Sequence, residues 1–190
     1  VDWHTQTVTT ELNSVTDNPV LPDTLDQALH GGNFYGQHVA LASDALANAV
    51  ITLAVHAERR IARLANPRLN QELPAFLAGS ETGLHSGFMG AQVTASALLA
   101  EMRTQATPAS IQSIPTNGDN QDVVTMGTIG ARRTHHLLSL LYRILAIDAL
   151  MAVQALELRA EPHLRSGATK QMMEWVRTRS SPLTADRALS

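Results

Sequence analysis

Residues 137–158, LLSLLYRILAIDALMAVQALEL, constrain what this chain can fold into more than any other segment, because they are apolar on nearly every face of a helix. Apolar residues recur there at spacings of three and four, and the pattern extends outward to predict a single helix over 120–159. At the ordinary helical rise such a rod is about 60 Å long. A helix that long and that apolar needs neighbours on all sides, and 190 residues offer few. Identical subunits are therefore expected to supply the rest, in a long-helix bundle at the centre of an oligomer.

The rest of the chain agrees with an all-α fold, since strict two-residue alternation over strand lengths is nearly absent. A short helix is predicted over 3–12, followed by turn formers, Asp17-Asn18-Pro19 and Pro22-Asp23. Over 37–65, Leu46, Val50, Leu53, Ala57, Ile61 and Leu64 share one stripe, with Glu58, Arg59, Arg60 and Arg63 largely off it. Asn66-Pro67 ends that helix, because the residue before a proline is pushed out of the helical region. After a loop with Pro74, Gly79 and Gly83, a helix is predicted over 86–104, where Gly90, Ala91, Ala95 and Ala97 permit close helix contact. Pro108 and Pro115 bracket a connector, Pro162 closes the long helix, and 168–179 forms a last short one. No internal repeat divides the chain, which reads as a single helical segment over 1–190.

Composition excludes several classes of function. A formal charge of −3 and the lack of a basic, aromatic-interleaved run argue against a nucleic-acid partner. No cysteine is present, so neither disulfides nor thiolate metal sites are available, and a cytoplasmic setting is expected. No membrane span is expected, because Arg143, Asp148, Gln154 and Glu157 interrupt the richest apolar stretch. The eight histidines include His135-His136, whose side chains point about 100° apart on a helix, and no His-Glu-x-x-His pair occurs, so no metal is expected. The run Gly31-Gly32-Asn33-Phe34-Tyr35-Gly36 lacks the preceding strand and following Gly-Lys-Ser/Thr of a phosphate loop. Its glycines are read as allowing a turn that sets Asn33 and Phe34 at a helix entrance.

One segment is denser in polar groups than a simple loop requires: Pro115-Thr116-Asn117-Gly118-Asp119-Asn120-Gln121-Asp122, expected to open directly into the apolar helix. Polar groups at a buried helix start are either satisfied or functional. Residue types alone leave two readings open, a capping network and a ligand site.

Four segments carry a resemblance. Glu11-Leu-Asn-Ser-Val-Thr-Asp-Asn-Pro19, His30-Gly-Gly-Asn-Phe-Tyr-Gly-Gln37, Gly83-Leu-His-Ser-Gly-Phe-Met-Gly-Ala-Gln92 and Asn117-Gly-Asp-Asn-Gln-Asp-Val-Val124 resemble, in order and spacing, segments of the aromatic amino acid ammonia-lyase and 2,3-aminomutase family, which uses a methylidene-imidazolone (MIO) prosthetic group. The resemblance continues through Ala109-Ser110 to Pro182-Leu183-Thr184-Ala185-Asp186-Arg187. It implies the C-terminal part of a longer lyase chain and a helical homotetramer. Ammonia would be removed from L-tyrosine or L-phenylalanine to give the cinnamate-type acid. Alternatives are a tyrosine 2,3-aminomutase, a histidine ammonia-lyase fragment and a helical oligomerisation module without catalysis.

The same resemblance divides the site. The family forms MIO from Ala-Ser-Gly, which does not occur in this sequence; Ala78-Gly79-Ser80, His85-Ser86-Gly87 and Arg165-Ser166-Gly167 are different orders or residues. The family's tyrosine base and carboxylate-binding arginine belong to a Tyr-Ser-x-Arg segment expected upstream of Val1. The chain alone is thus expected to hold no catalytic residue and to be inactive, the N-terminal part supplying the rest. Phe34 matches a phenylalanine beside the prosthetic group, and Asn117, Asn120 and Gln121 match polar positions lining the pocket. Met89 and Val93, one helical turn apart, match positions bordering the substrate side chain. Histidine-specific members place Glu where Gln121 stands, so Asn120-Gln121-Asp122 resembles the tyrosine and phenylalanine branch.

Overall fold

The computed structural model describes residues 1–79, 83–159 and 165–189, and among these every regular element is helical. Five α-helices follow in order: α1 (Asp2–Leu12), α2 (Gln37–Ala65), α3 (Met89–Thr104), α4 (Gly127–Leu158) and α5 (Gly167–Arg177). Short 3-10 turns precede α2 and α3, at Asn33–Tyr35 and Ala75–Leu77. Pro162, predicted to close the long helix, lies outside the described residues.

Two compact units emerge from the contacts, Val1–Val50 with Thr104–Leu138 and Ile51–Arg103 with Ser139–Ser190. The first unit is tied together around Asp44, only 5% exposed. Its carboxylate accepts the backbone N–H groups of Ala109 at 3.1 Å and Ser110 at 2.9 Å and pairs with the Arg133 guanidinium. Burial pushes the Asp44 carboxyl up, but the Ser110 and Ala109 hydrogen bonds and the Arg133 charge outweigh it and leave the group below its ordinary value. Gly130 lies against this cluster: a Cβ there would be in ordinary contact with Asp44 Oδ1 at 3.4 Å and the Ala109 Cβ at 3.5 Å. Beside it the Thr134 hydroxyl donates to the Ser43 carbonyl at 3.1 Å.

The second unit packs Val153, Met173 and Val176 against Ala149, Leu150 and Leu156, joining α4 to α5. Two polar ties reinforce it. Arg177 donates to both Glu157 oxygens at 2.8 and 2.6 Å, and the Gln154 carboxamide makes paired bonds to the Leu183 N–H and C=O, each 3.1 Å. Arg60 of α2 pairs with Asp148 of α4.

The structure departs from expectation in four places. The long helix begins at Gly127 rather than at Asn120, because Gln121 bridges back to Thr116 across a turn with positive φ at Asn117, Gly118 and Asp119 (56°, 60° and 63°), and Met126, at φ 52°, stands just ahead of the first helical residue. A left-handed residue cannot continue a right-handed helix. Second, Glu58 is not off the buried surface of α2 but 1% exposed, bonded to the Ser96 hydroxyl at 2.7 Å and to Arg59. Third, of the small residues in α3 only Ala95 is buried, and Gly90 faces open space. Last, residues 33–65 and 127–158 are long and apolar enough to cross a membrane by length and composition, with mean hydropathy 1.5 and 1.7, which the interruptions at Arg143 and Asp148 had spoken against. Within them Asp44, Glu58 and Asp148 are buried and bonded, as in helices packed against protein.

Candidate active-site cavity

In the first unit a cavity of about 780 Å³ opens between the loop before α2 and the segment before α4. Asp17, Asn18, Gly32, Phe34, Tyr35 and residues 120–125 line it. Three turns build this wall. Asn18 Oδ1 accepts the Gly31 N–H at 3.0 Å, and Val20 and Leu29 exchange two backbone bonds of 2.9 Å, so the intervening loop is folded back on itself. The 3-10 turn Asn33–Tyr35 then presents Phe34, 53% exposed, and ends at Gly36 in the left-handed conformation (φ 68°), which lets the chain enter α2. Gly31 and Gly32 need no such freedom, so of the glycine run only Gly36 performs the predicted turn.

The opposite wall is the turn around Asn117 to Asn120, followed by an extended stretch. Thr116 and Gln121 exchange backbone bonds of 2.9 and 3.2 Å, and the Thr116 hydroxyl lies 3.1 Å from Gln121 Oε1, which fixes the carboxamide. The Val124 N–H donates to Ser113 Oγ at 2.8 Å, anchoring the stretch from behind.

Of the residues singled out in the sequence, Phe34, Asn120 and Gln121 thus meet around one cavity. Asn117 is not on its lining but braces it, its carbonyl accepting the Asn120 N–H at 3.2 Å. Met89 and Val93 belong to the second unit, in the first turns of α3, where they are 42% and 59% exposed. Sequence reasoning treated Asp17 and Asn18 as turn formers only and passed over Tyr35 and Thr125. Asp17 and Asn18 stand inside the first matched segment, which was the available signal. The cavity combines flat aromatic surface, carboxamide donors and carboxylates, a set suited to a small zwitterion with an apolar side chain. Among the described residues no group of three His, Asp or Glu could hold a metal ion.

Residues 1–178 match the protein family described as aromatic amino acid lyase. The chain is 57% identical to a tyrosine ammonia-lyase of Cereibacter sphaeroides over 98% of its length and 36% of that protein's. A histidine ammonia-lyase of Symbiobacterium thermophilum is 46% identical over 100% of this chain and 36% of its own length. An MIO-dependent tyrosine 2,3-aminomutase of Streptomyces globisporus is 46% identical over 95% of this chain and 33% of its own. The crystal structure of the Streptomyces globisporus tyrosine aminomutase superposes with a TM-score of 0.94, covering 99% of this chain and 35% of that one. The chain belongs to the aromatic amino acid lyase family. It spans about a third of the length of these curated relatives.

Proposed function

We propose that this chain is the C-terminal part of a tyrosine ammonia-lyase, eliminating ammonia from L-tyrosine or L-phenylalanine as part of the complete enzyme. The observation that carries the reading is the convergence of Phe34, Asn120 and Gln121 on one cavity, in a chain 57% identical to a tyrosine ammonia-lyase. Met89 and Val93 are assigned to the wall along the substrate side chain, and Asn117 to the turn that supports the polar wall.

The cavity fits the MIO group in the chemistry of its lining: the Asn120 and Gln121 carboxamides offer N–H donors to a carbonyl oxygen, and Phe34 offers a flat apolar face. When bound, the group supplies the electrophile that turns the amine into a leaving group. This chain's residues do the remaining local work. Gln121, its oxygen held by Thr116, presents a neutral carboxamide rather than a charge to an aromatic substrate. Phe34 and Val123 give the cavity an apolar surface, and Asp17 and Asp122 place negative charge where an ammonium group gains from it. The Ala-Ser-Gly source of the prosthetic group, the tyrosine base and the arginine clamp lie elsewhere in the complete enzyme. The reading also takes that enzyme to be a cytoplasmic homotetramer without membrane or nucleic-acid partners.

A 2,3-aminomutase is the second reading, favoured by the 0.94 superposition on the Streptomyces globisporus enzyme. Incubating the complete enzyme with L-tyrosine separates the two. Coumarate alone supports the lyase, β-tyrosine the aminomutase, and urocanate formed from L-histidine with no turnover of tyrosine would overturn both.

A further inference from the structure

We propose that Asp186 is a positioning residue for Met89: its carboxylate holds the entrance of α3, so that the start of the side-chain wall keeps one place. This rests on the assignment of Met89 made above.

The Asp186 carboxylate accepts the Ser86 N–H at 2.8 Å through one oxygen and the Gly87 N–H at 2.9 Å through the other. Both donors lie just ahead of α3, where backbone N–H groups lack helical partners and negative charge is favoured. These bonds hold the Asp186 carboxyl below its ordinary value, the Ser86 bond contributing most. From there the constraint passes directly to Met89, whose N–H donates to the Ser86 carbonyl at 3.2 Å.

The far side of the same turn is closed by backbone. Gly87 has φ +57°, and a Cβ on it would meet the Phe76 carbonyl at 2.6 Å and Ala78 backbone at 3.0 Å. Next to it the Phe88 N–H donates to that Phe76 carbonyl at 2.9 Å, and the Phe88 side chain is buried. The strap that carries Asp186 is itself held, by the paired Gln154 bonds to Leu183 and by the Asp186 N–H directed at His85 Nδ1, 3.4 Å away.

The test uses the complete enzyme with Asp186→Ala and Asp186→Asn, alone and combined with Met89→Ala. It follows KM and kcat for tyrosine together with hydrogen exchange over residues 84–93. The Ala variant should lose about two- to fivefold in kcat/KM, mainly through KM, with faster exchange at the Met89 amide. Asn, which keeps an acceptor oxygen, should recover part of the loss. In the Met89→Ala background the kinetic penalty should vanish, because the two residues act through one contact chain. An equal penalty in that background, or unchanged exchange, overturns the proposal. If the enzyme turns over no aromatic amino acid, the functional reading falls, and exchange at Met89 alone still decides whether Asp186 positions it.

Discussion

Gln121 concentrates the specificity question in one atom pair. Its carboxamide oxygen sits against the Thr116 hydroxyl, so a glutamate there keeps the shape and adds a charge beside Phe34 and Asn120. Gln121→Glu in the complete enzyme is expected to lower kcat/KM for tyrosine by about tenfold or more, the cost of setting a charge against an aromatic substrate, with little change in denaturation midpoint. An unchanged rate would remove Gln121 from the site. Asp44 plays the structural counterpart. Asp44→Ala strands Arg133 and two backbone N–H groups, and a loss of about 3 kcal/mol is expected by chemical denaturation of the complete enzyme. Because the folded pKa lies below the unfolded one, the Asp44 contribution is complete above the ordinary aspartate range and drains away as pH falls through the lowered folded value. Asp44→Asn should flatten that part of the acid-unfolding curve.

Among the elements, both bounds of α2 were legible in the sequence, since Asn66-Pro67 stops it and the Asn33–Tyr35 turn with Gly36 starts it. The start of α4 was not. Residues 117–119 are Asn, Gly and Asp, which serve equally as helix caps and as left-handed turn residues, and only the pairing of Thr116 with Gln121 decides between them. Part of the cavity was hidden in another way: Phe34, Asn120 and Gln121 were found by resemblance, whereas Asn18, tied to Gly31 13 residues on, and its neighbour Asp17 stood in a matched segment but read only as turn formers. Two glycines at nearly equal φ make a test of what the turns require. A side chain at Gly118 meets open space, so Gly118→Ala is expected to cost only the left-handed backbone, about 1–2 kcal/mol. Gly87→Ala adds a collision with the Phe76 carbonyl and should cost clearly more. Equal denaturation midpoints for the two variants would contradict the packing described for α3.

For the molecule as a whole, the fold class follows from the apolar rod, whereas the proposed catalysis draws on parts that the resemblance places outside this sequence. The chain alone is expected to give no coumarate from tyrosine, and co-expression with the N-terminal part of the enzyme should restore it; restoration failing with both parts folded would favour the oligomerisation module. The exposed Tyr142 and Ile129 on α4 are further consistent with burial against identical subunits. Tyr142→Glu is expected to shift the proposed tetramer of the complete enzyme to smaller species by light scattering. Finally, the bond between Asp186 and Ser86 spans 100 residues, which sets a schedule for biosynthesis. At bacterial and eukaryotic elongation rates of about 5–20 residues per second, the entrance of α3 waits roughly 5–20 s for its carboxylate to be translated. The wall proposed to sort substrates thus becomes rigid only after 100 further residues have been made.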